Sequence, residues 1–92
     1  MLLGIDNNEA IGLFLKSHRD KRNMSQKQVS DKLGYSSAQF ISNIERGVAP
    51  VPSALFLELI GMYKIPEREI LEFLMDEQKK ALQRLLKKKK KA

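Results

Sequence analysis

Apolar positions along the chain fall in short runs with helical spacing, separated by polar, glycine or proline breaks. In "DNNEAIGLFLKSHRDKR", Ile11, Phe14, Leu15 and His18 share one helical face, with Leu13 beside them. Asp6 stands where this first helix needs an N-cap. Glu9 follows at capping-box spacing, and Asn23 marks the exit. In "SQKQVSDKLG", Ser25 is the N-cap and Gln28 its reciprocal partner. Val29 and Leu33 point inward, and Met24 packs just ahead of them. Gly34 follows where a helix end takes a positive φ. "SSAQFISNIERG" predicts a third helix, over about residues 37–46, capped by either Ser36 or Ser37. Its inward pair is Ile41 and Ile44, with Phe40 at the edge and Gly47 at the end.

The prolines of "VAPVPS" forbid a continuing helix, so the chain turns there. "SALFLELIGMYK" predicts a fourth helix, with a stripe of Leu55, Leu59, Ile60 and either Met62 or Tyr63. Phe56 and Leu57 widen its apolar surface, which marks it as the central core helix. The last segment opens with Pro66, Glu67 and Glu69 and ends in lysines, a charge order that suits the helix dipole. No glycine or proline interrupts residues 67–92, so one helix of about 20 residues is predicted, longer than so small a domain needs. Ile70, Leu71 and Leu74 can pack on the domain. Ala81, Leu82, Leu85 and Leu86 lie beyond it and still need burial. The predicted fold class is all-α: five helices over residues 6–76, then a helical extension with a lysine tail over 77–92.

A chain of 92 residues makes one small domain with a modest core. There is no cysteine, hence no disulfide and no thiolate ligand or nucleophile. His18 is the only histidine. Without a second ligand or a nucleophile it has no catalytic role, and it is expected at the surface or its boundary. No glycine-rich phosphate loop or convincing buried carboxylate pair is present, so neither an enzyme nor a cofactor is expected. "MLLGIDNN" lacks the basic start and apolar run of a signal peptide, and no segment reaches the roughly 18 apolar residues of a membrane span. The expectation is a soluble, cytoplasmic protein with no membrane partner. The net charge of +6 suggests an anionic partner, but five of the seventeen basic residues are Lys87 to Lys91. The remainder has twelve basic and eleven acidic residues, a net of +1, so charge alone does not argue for nucleic acid.

Two short helices joined by a tight turn containing a glycine have helix-turn-helix geometry. Arg19, "MSQKQVSDKLG", "QFISNIERG", an apolar helix after a Pro/Ser connector and "IPEREIL" together resemble the lambda-repressor/Cro-like (XRE-type) family of five-helix DNA-binding domains. The resemblance spans residues 13–71, with about one extra residue in the turn around Tyr35 and Ser36. It implies double-stranded DNA as partner. It also implies a salt bridge from Arg19 to Glu45 and a phosphate contact from Gln26, whose amide joins the free N–H groups at a helix start. With Ile41 and Ile44 inward, the third helix presents Ser37, Ala38, Gln39, Ser42, Asn43 and Arg46. Such small side chains let a helix approach base edges, and Gln and Asn can pair bidentately with adenine. By resemblance Gln39 and Asn43 touch bases, Ser37 and Ala38 lie at the contacting end, and Ala38 can meet a thymine methyl. Arg46, at the far end, and Lys27 suit phosphates. Tyr35 either packs on the second helix or lies along the sugar-phosphate backbone. The connector 48–52 has no basic residue, which lowers the contact expected there.

Leu71, Leu74, Gln78, Ala81 or Leu82, and Leu85 fall near heptad spacing, which predicts a homodimer seam using Leu74, Leu82 and Leu85. Two copies would read a palindrome with half-sites about 10 bp apart. The competing expectation is that residues 79–92 curl back or fray, and Lys87 to Lys91 are either phosphate contacts or a solvated end. The function expected is a sequence-specific transcriptional regulator, with repression the simplest mechanism. The alternative is an interaction module, or an antitoxin-type protein holding a protein partner.

Overall fold

The computed structural model describes residues 2–91. They form α1 (Asn8–Lys21), α2 (Gln26–Leu33), α3 (Gln39–Glu45), α4 (Ser53–Tyr63) and α5 (Glu67–Lys91). Of the lysine run 87–91, the side chains of Lys90 and Lys91 lie outside the described residues. No described helix is long and apolar enough to cross a membrane.

The first four helices stop in the same way. One residue in left-handed backbone reverses the chain: Asn23 (φ 54°), Gly34 (84°), Gly47 (77°) and Lys64 (53°). The next N–H then donates to a carbonyl five residues back: Met24 to Arg19, Tyr35 to Ser30, Val48 to Asn43 and Ile65 to Ile60. These bonds satisfy carbonyls that a helix end leaves free. α2 starts with the expected capping box, in which Ser25 Oγ accepts from the Gln28 N–H and Gln28 Oε1 from the Ser25 N–H.

Two helix starts differ from expectation. Asn7, not Asp6, caps α1, its Oδ1 accepting from the Ala10 N–H at 3.1 Å. α3 begins at Gln39, two residues later than expected. Ala38, the N-cap residue, is in helical backbone and α3 has no side-chain cap, although Ser37 Oγ accepts from the Gln39 N–H at 3.3 Å just ahead of it. The Tyr35 ring meets Phe40 edge-on, with centroids 5.2 Å apart.

The core joins Ile11 and Leu15 of α1, Val29 of α2, Ile41 and Ile44 of α3, and Leu55, Phe56, Leu59 and Tyr63 of α4. Leu13, Leu57 and Leu71 point to solvent instead of joining it. Leu2 and Ile5 do join it, although no element is predicted there. A tight turn, closed by the Ile5 N–H to the Leu2 carbonyl at 2.8 Å, folds this segment back. α5 docks mainly through Ile70, Phe73 and Leu74. Phe73 stacks on Phe14 with centroids 4.3 Å apart. Glu77 is buried, and one of its oxygens accepts from Asn7 Nδ2.

His18 is buried rather than at the boundary. Its ring meets Phe14 edge-on, and Nε2 lies 4.0 Å from Glu69 Oε1. Burial, helped by Lys21 and Arg22 and opposed by Glu69, holds its pKa below the usual 6.5. The unfolded chain therefore takes up this proton first as pH falls, so the contribution of His18 to stability is present above pH 6.5 and is lost below it. Urea midpoints measured from pH 7 to pH 5.5 are expected to fall in the wild type and to fall less in His18→Phe. Parallel curves would remove His18 as the cause.

Candidate nucleic-acid interface

α2 and α3 meet through the Gly34 turn, and α3 is braced from behind by α1. The brace is an ion pair that crosses the core edge. Arg19 Nε donates to Glu45 Oε2 at 2.7 Å, and the second guanidinium arm donates to Oε1 at 3.0 Å. Both residues are buried, with 7% and 5% of their surface exposed. The third guanidinium nitrogen donates to the Met24 carbonyl at 2.6 Å, so Arg19 also holds the chain leading into α2. The hydrogen bond to Glu45, against the opposing effect of burial, raises the Arg19 pKa further, and the guanidinium stays charged at any accessible pH.

Gln26, at the first position of α2, donates from Nε2 to Glu45 Oε1 at 2.9 Å. Glu45 therefore accepts from α1 and from α2 while belonging to α3, and one carboxylate ties together all three helices. An amide nitrogen carries two hydrogens, so Gln26 Nε2 keeps a second donor beyond the one given to Glu45. Lys27, one residue on, is held by Asp31 at 2.6 Å along an exposed face.

The outer face of α3 carries a short hydrogen-bond row. Gln39 Nε2 and an Arg46 guanidinium nitrogen both donate to Asn43 Oδ1, at 2.9 and 2.7 Å. These bonds use Asn43 Oδ1 and Gln39 Nε2, and leave Asn43 Nδ2 as a donor and Gln39 Oε1 as an acceptor outside the row. A protein–DNA contact needs both kinds of group on one thin surface. Gln39, Arg46 and Ser37 are exposed, whereas Ala38, Ser42 and Asn43 are half-buried. Ser42 makes no hydrogen bond within the row. It lines a shallow depression with Gln26, Arg46, Glu45 and Lys16, between α1 and the start of α2. Lys16 reads from sequence as one of several scattered lysines, and only the packing of α1 beside α3 gathers it here.

Arg22, also unassigned from sequence, lies away from this face. Its Nε donates to the Tyr63 carbonyl at 2.7 Å and its outer nitrogen to that of Lys64 at 3.3 Å. A cation is thus placed at the negative end of α4, where the last carbonyls lack helical partners.

A family model described as helix-turn-helix matches residues 15–70, more than half of the chain. The match runs from Leu15 in α1 to Ile70 in α5 and so includes the brace, the turn and the outer face of α3. No curated protein and no solved structure gives a significant match.

Proposed function

The chain belongs to the lambda-repressor/Cro-like (XRE-type) helix-turn-helix family of DNA-binding regulators, and from this we propose a sequence-specific transcriptional regulator that lays α3 in the major groove. The observation that carries the reading is the polar row Gln39–Asn43–Arg46 on a short helix that Arg19 and Glu45 hold at a fixed angle. Gln39 and Asn43 read base edges, with Ser37, Ala38 and Ser42 close enough to add contacts. Gln26, Lys27 and Arg46 meet phosphates, joined by Lys16 from the same depression. One α3 reads half a site, so the protein binds a palindrome as a homodimer, with half-sites about 10 bp apart. Occluding a promoter is the simplest consequence, because so small a protein offers little surface for recruiting polymerase.

The test is selection of bound duplexes from a random library by the full chain at physiological salt. Recovery of a palindrome supports the reading, and no enrichment refutes base reading by α3. Gln39→Ala and Asn43→Ala are each expected to lose roughly 1–3 kcal/mol at the recovered site and to relax preference at particular base pairs. Lys16→Ala weakens all sequences alike and leaves preference intact. An unchanged footprint and preference in both α3 variants would remove them from the groove.

A further inference from the structure

α5 leaves a row of apolar side chains in solvent along both of its halves. Leu71, Met75, Leu82 and Leu85 are 49%, 68%, 55% and 64% exposed, with Gln78 exposed among them. Their spacing alternates four and three residues, which is the repeat of a two-helix seam. Leu74 turns toward the core, and Met75 takes the place in the seam that Leu74 would fill. The charge along α5 is divided as sharply as its apolar row. Residues 67–78 hold five carboxylates and one arginine, a net of −4, whereas residues 79–91 hold eight cations and no acid, a net of +8.

We propose that the second copy of this chain required by the dimeric reading packs along α5 in the antiparallel direction. The inference rests on that reading and fixes its geometry. A parallel pair would set acidic half against acidic half and basic half against basic half. It would also bring Glu67 beside the partner's Glu72 at the flank of the seam, and like charges so placed repel. The antiparallel pair sets opposite charges together along its whole length.

One register satisfies both the apolar row and the charges. Leu71 lies over the partner's Leu82 and Met75 over the partner's Gln78. This places Glu72 against the partner's Lys79 and Glu67 against the partner's Lys88, each twice by symmetry. Leu74 then faces the partner's Ala81 at the edge. The other acids of the first half are already engaged. Glu69 lies 4.0 Å from His18 and 3.9 Å from Lys21, Asp76 holds Lys80 at 3.0 Å, and Glu77 is buried against Asn7. Glu67 and Glu72 are therefore the carboxylates this half of the helix has to offer a partner. The two-fold axis passes between residues 76 and 77, so both α3 helices are presented symmetrically, as a palindrome requires.

The chain has no cysteine, so introduced ones report cleanly. Sedimentation equilibrium of the full wild-type chain first decides dimer or monomer. A monomer at concentrations that saturate a DNA site sinks both the dimeric reading and this one. Given a dimer, Leu71→Cys and Leu82→Cys chains are oxidised separately and then mixed, one carrying a mass tag. The antiparallel seam predicts a disulfide only in the mixture, because along the helix each position lies roughly 16 Å from its own copy. Cross-linking of Leu71→Cys to itself overturns the orientation and leaves the dimer standing. Absence of any cross-link removes α5 as the seam. Glu72→Lys is expected to weaken the dimer roughly tenfold, and Glu72→Lys/Lys79→Glu to restore it. Strengthening by Glu72→Lys alone is the outcome of a parallel pair and overturns the proposal.

Discussion

Gly12→Ala is expected to destabilise the protein by roughly 2–4 kcal/mol, although alanine is the better helix former. Gly12 is buried in the middle of α1, where that helix crosses the last turn of α3. A Cβ built on it would lie 2.4 Å from the Ile44 carbonyl oxygen and 2.5 Å from that of Glu45. Both obstacles are backbone, so no rotamer change relieves them, and α1 must move away from α3 by about an ångström to reach ordinary contact. The same movement loosens the packing of Ile11 and Leu15 against Ile41 and Ile44. The gain in helix propensity, about 1 kcal/mol, is too small to offset this. Gly61 provides the control with the opposite sign. It lies within α4, exposed, with nothing within 4 Å of an added Cβ. Gly61→Ala is therefore expected to raise stability by about 1 kcal/mol. Urea unfolding of the two variants decides it, and a shift of the same sign in both would show that propensity rather than close approach governs α1.

That prediction also shows which part of the fold was legible in the sequence. Periodicity reports on side chains that are present, so it found α1, α2, α4 and the inward pairs Ile41/Ile44 and Leu55/Leu59. It has no way to register a position where a side chain must be absent, and Gly12 went unremarked. The turn signals were equally legible: Gly34 and Gly47 both take the positive φ that a helix end requires. Long-range cover was not. Leu2 and Ile5 carry no period, and His18 is buried with Glu69 of α5 4.0 Å from its Nε2. Leu71 and Leu74 share a spacing but divide between solvent and core, since the domain covers only one side of α5. At the candidate interface the resemblance implied the Arg19–Glu45 pair, whereas the partners of Gln26, Gln39 and Arg46 appear only in the structure. The i,i+4 spacing of Gln39 and Asn43 could have suggested their hydrogen bond. Nothing local could have suggested that Gln26 donates to Glu45, because nineteen positions separate them.

Glu45→Ala is expected to cost about 3 kcal/mol of stability and to lower DNA affinity by more than the unfolded fraction explains. The carboxylate accepts two hydrogen bonds from Arg19 and one from Gln26. Its removal leaves a buried guanidinium holding only the Met24 carbonyl and Asp20, which lies 3.3 Å away. Removing one partner of a buried pair costs roughly 3–5 kcal/mol, and these remaining contacts place the loss at the lower end. Stability and angle can be separated by a second variant. Arg19→Met/Glu45→Leu replaces the pair with apolar groups, and such replacements are often neutral or stabilising. It is expected to recover most of the urea midpoint lost by Glu45→Ala while binding DNA more weakly than wild type. In that variant Gln26 loses its anchor, and α3 loses the two charged hydrogen bonds that set its direction from α1. Full recovery of both stability and affinity would mean that packing alone orients α3. A Glu45→Ala protein with wild-type midpoint and affinity would dismiss the brace altogether. If stability returns and affinity does not, the ion pair serves to aim the recognition helix, and the buried charge is retained for geometry rather than for folding.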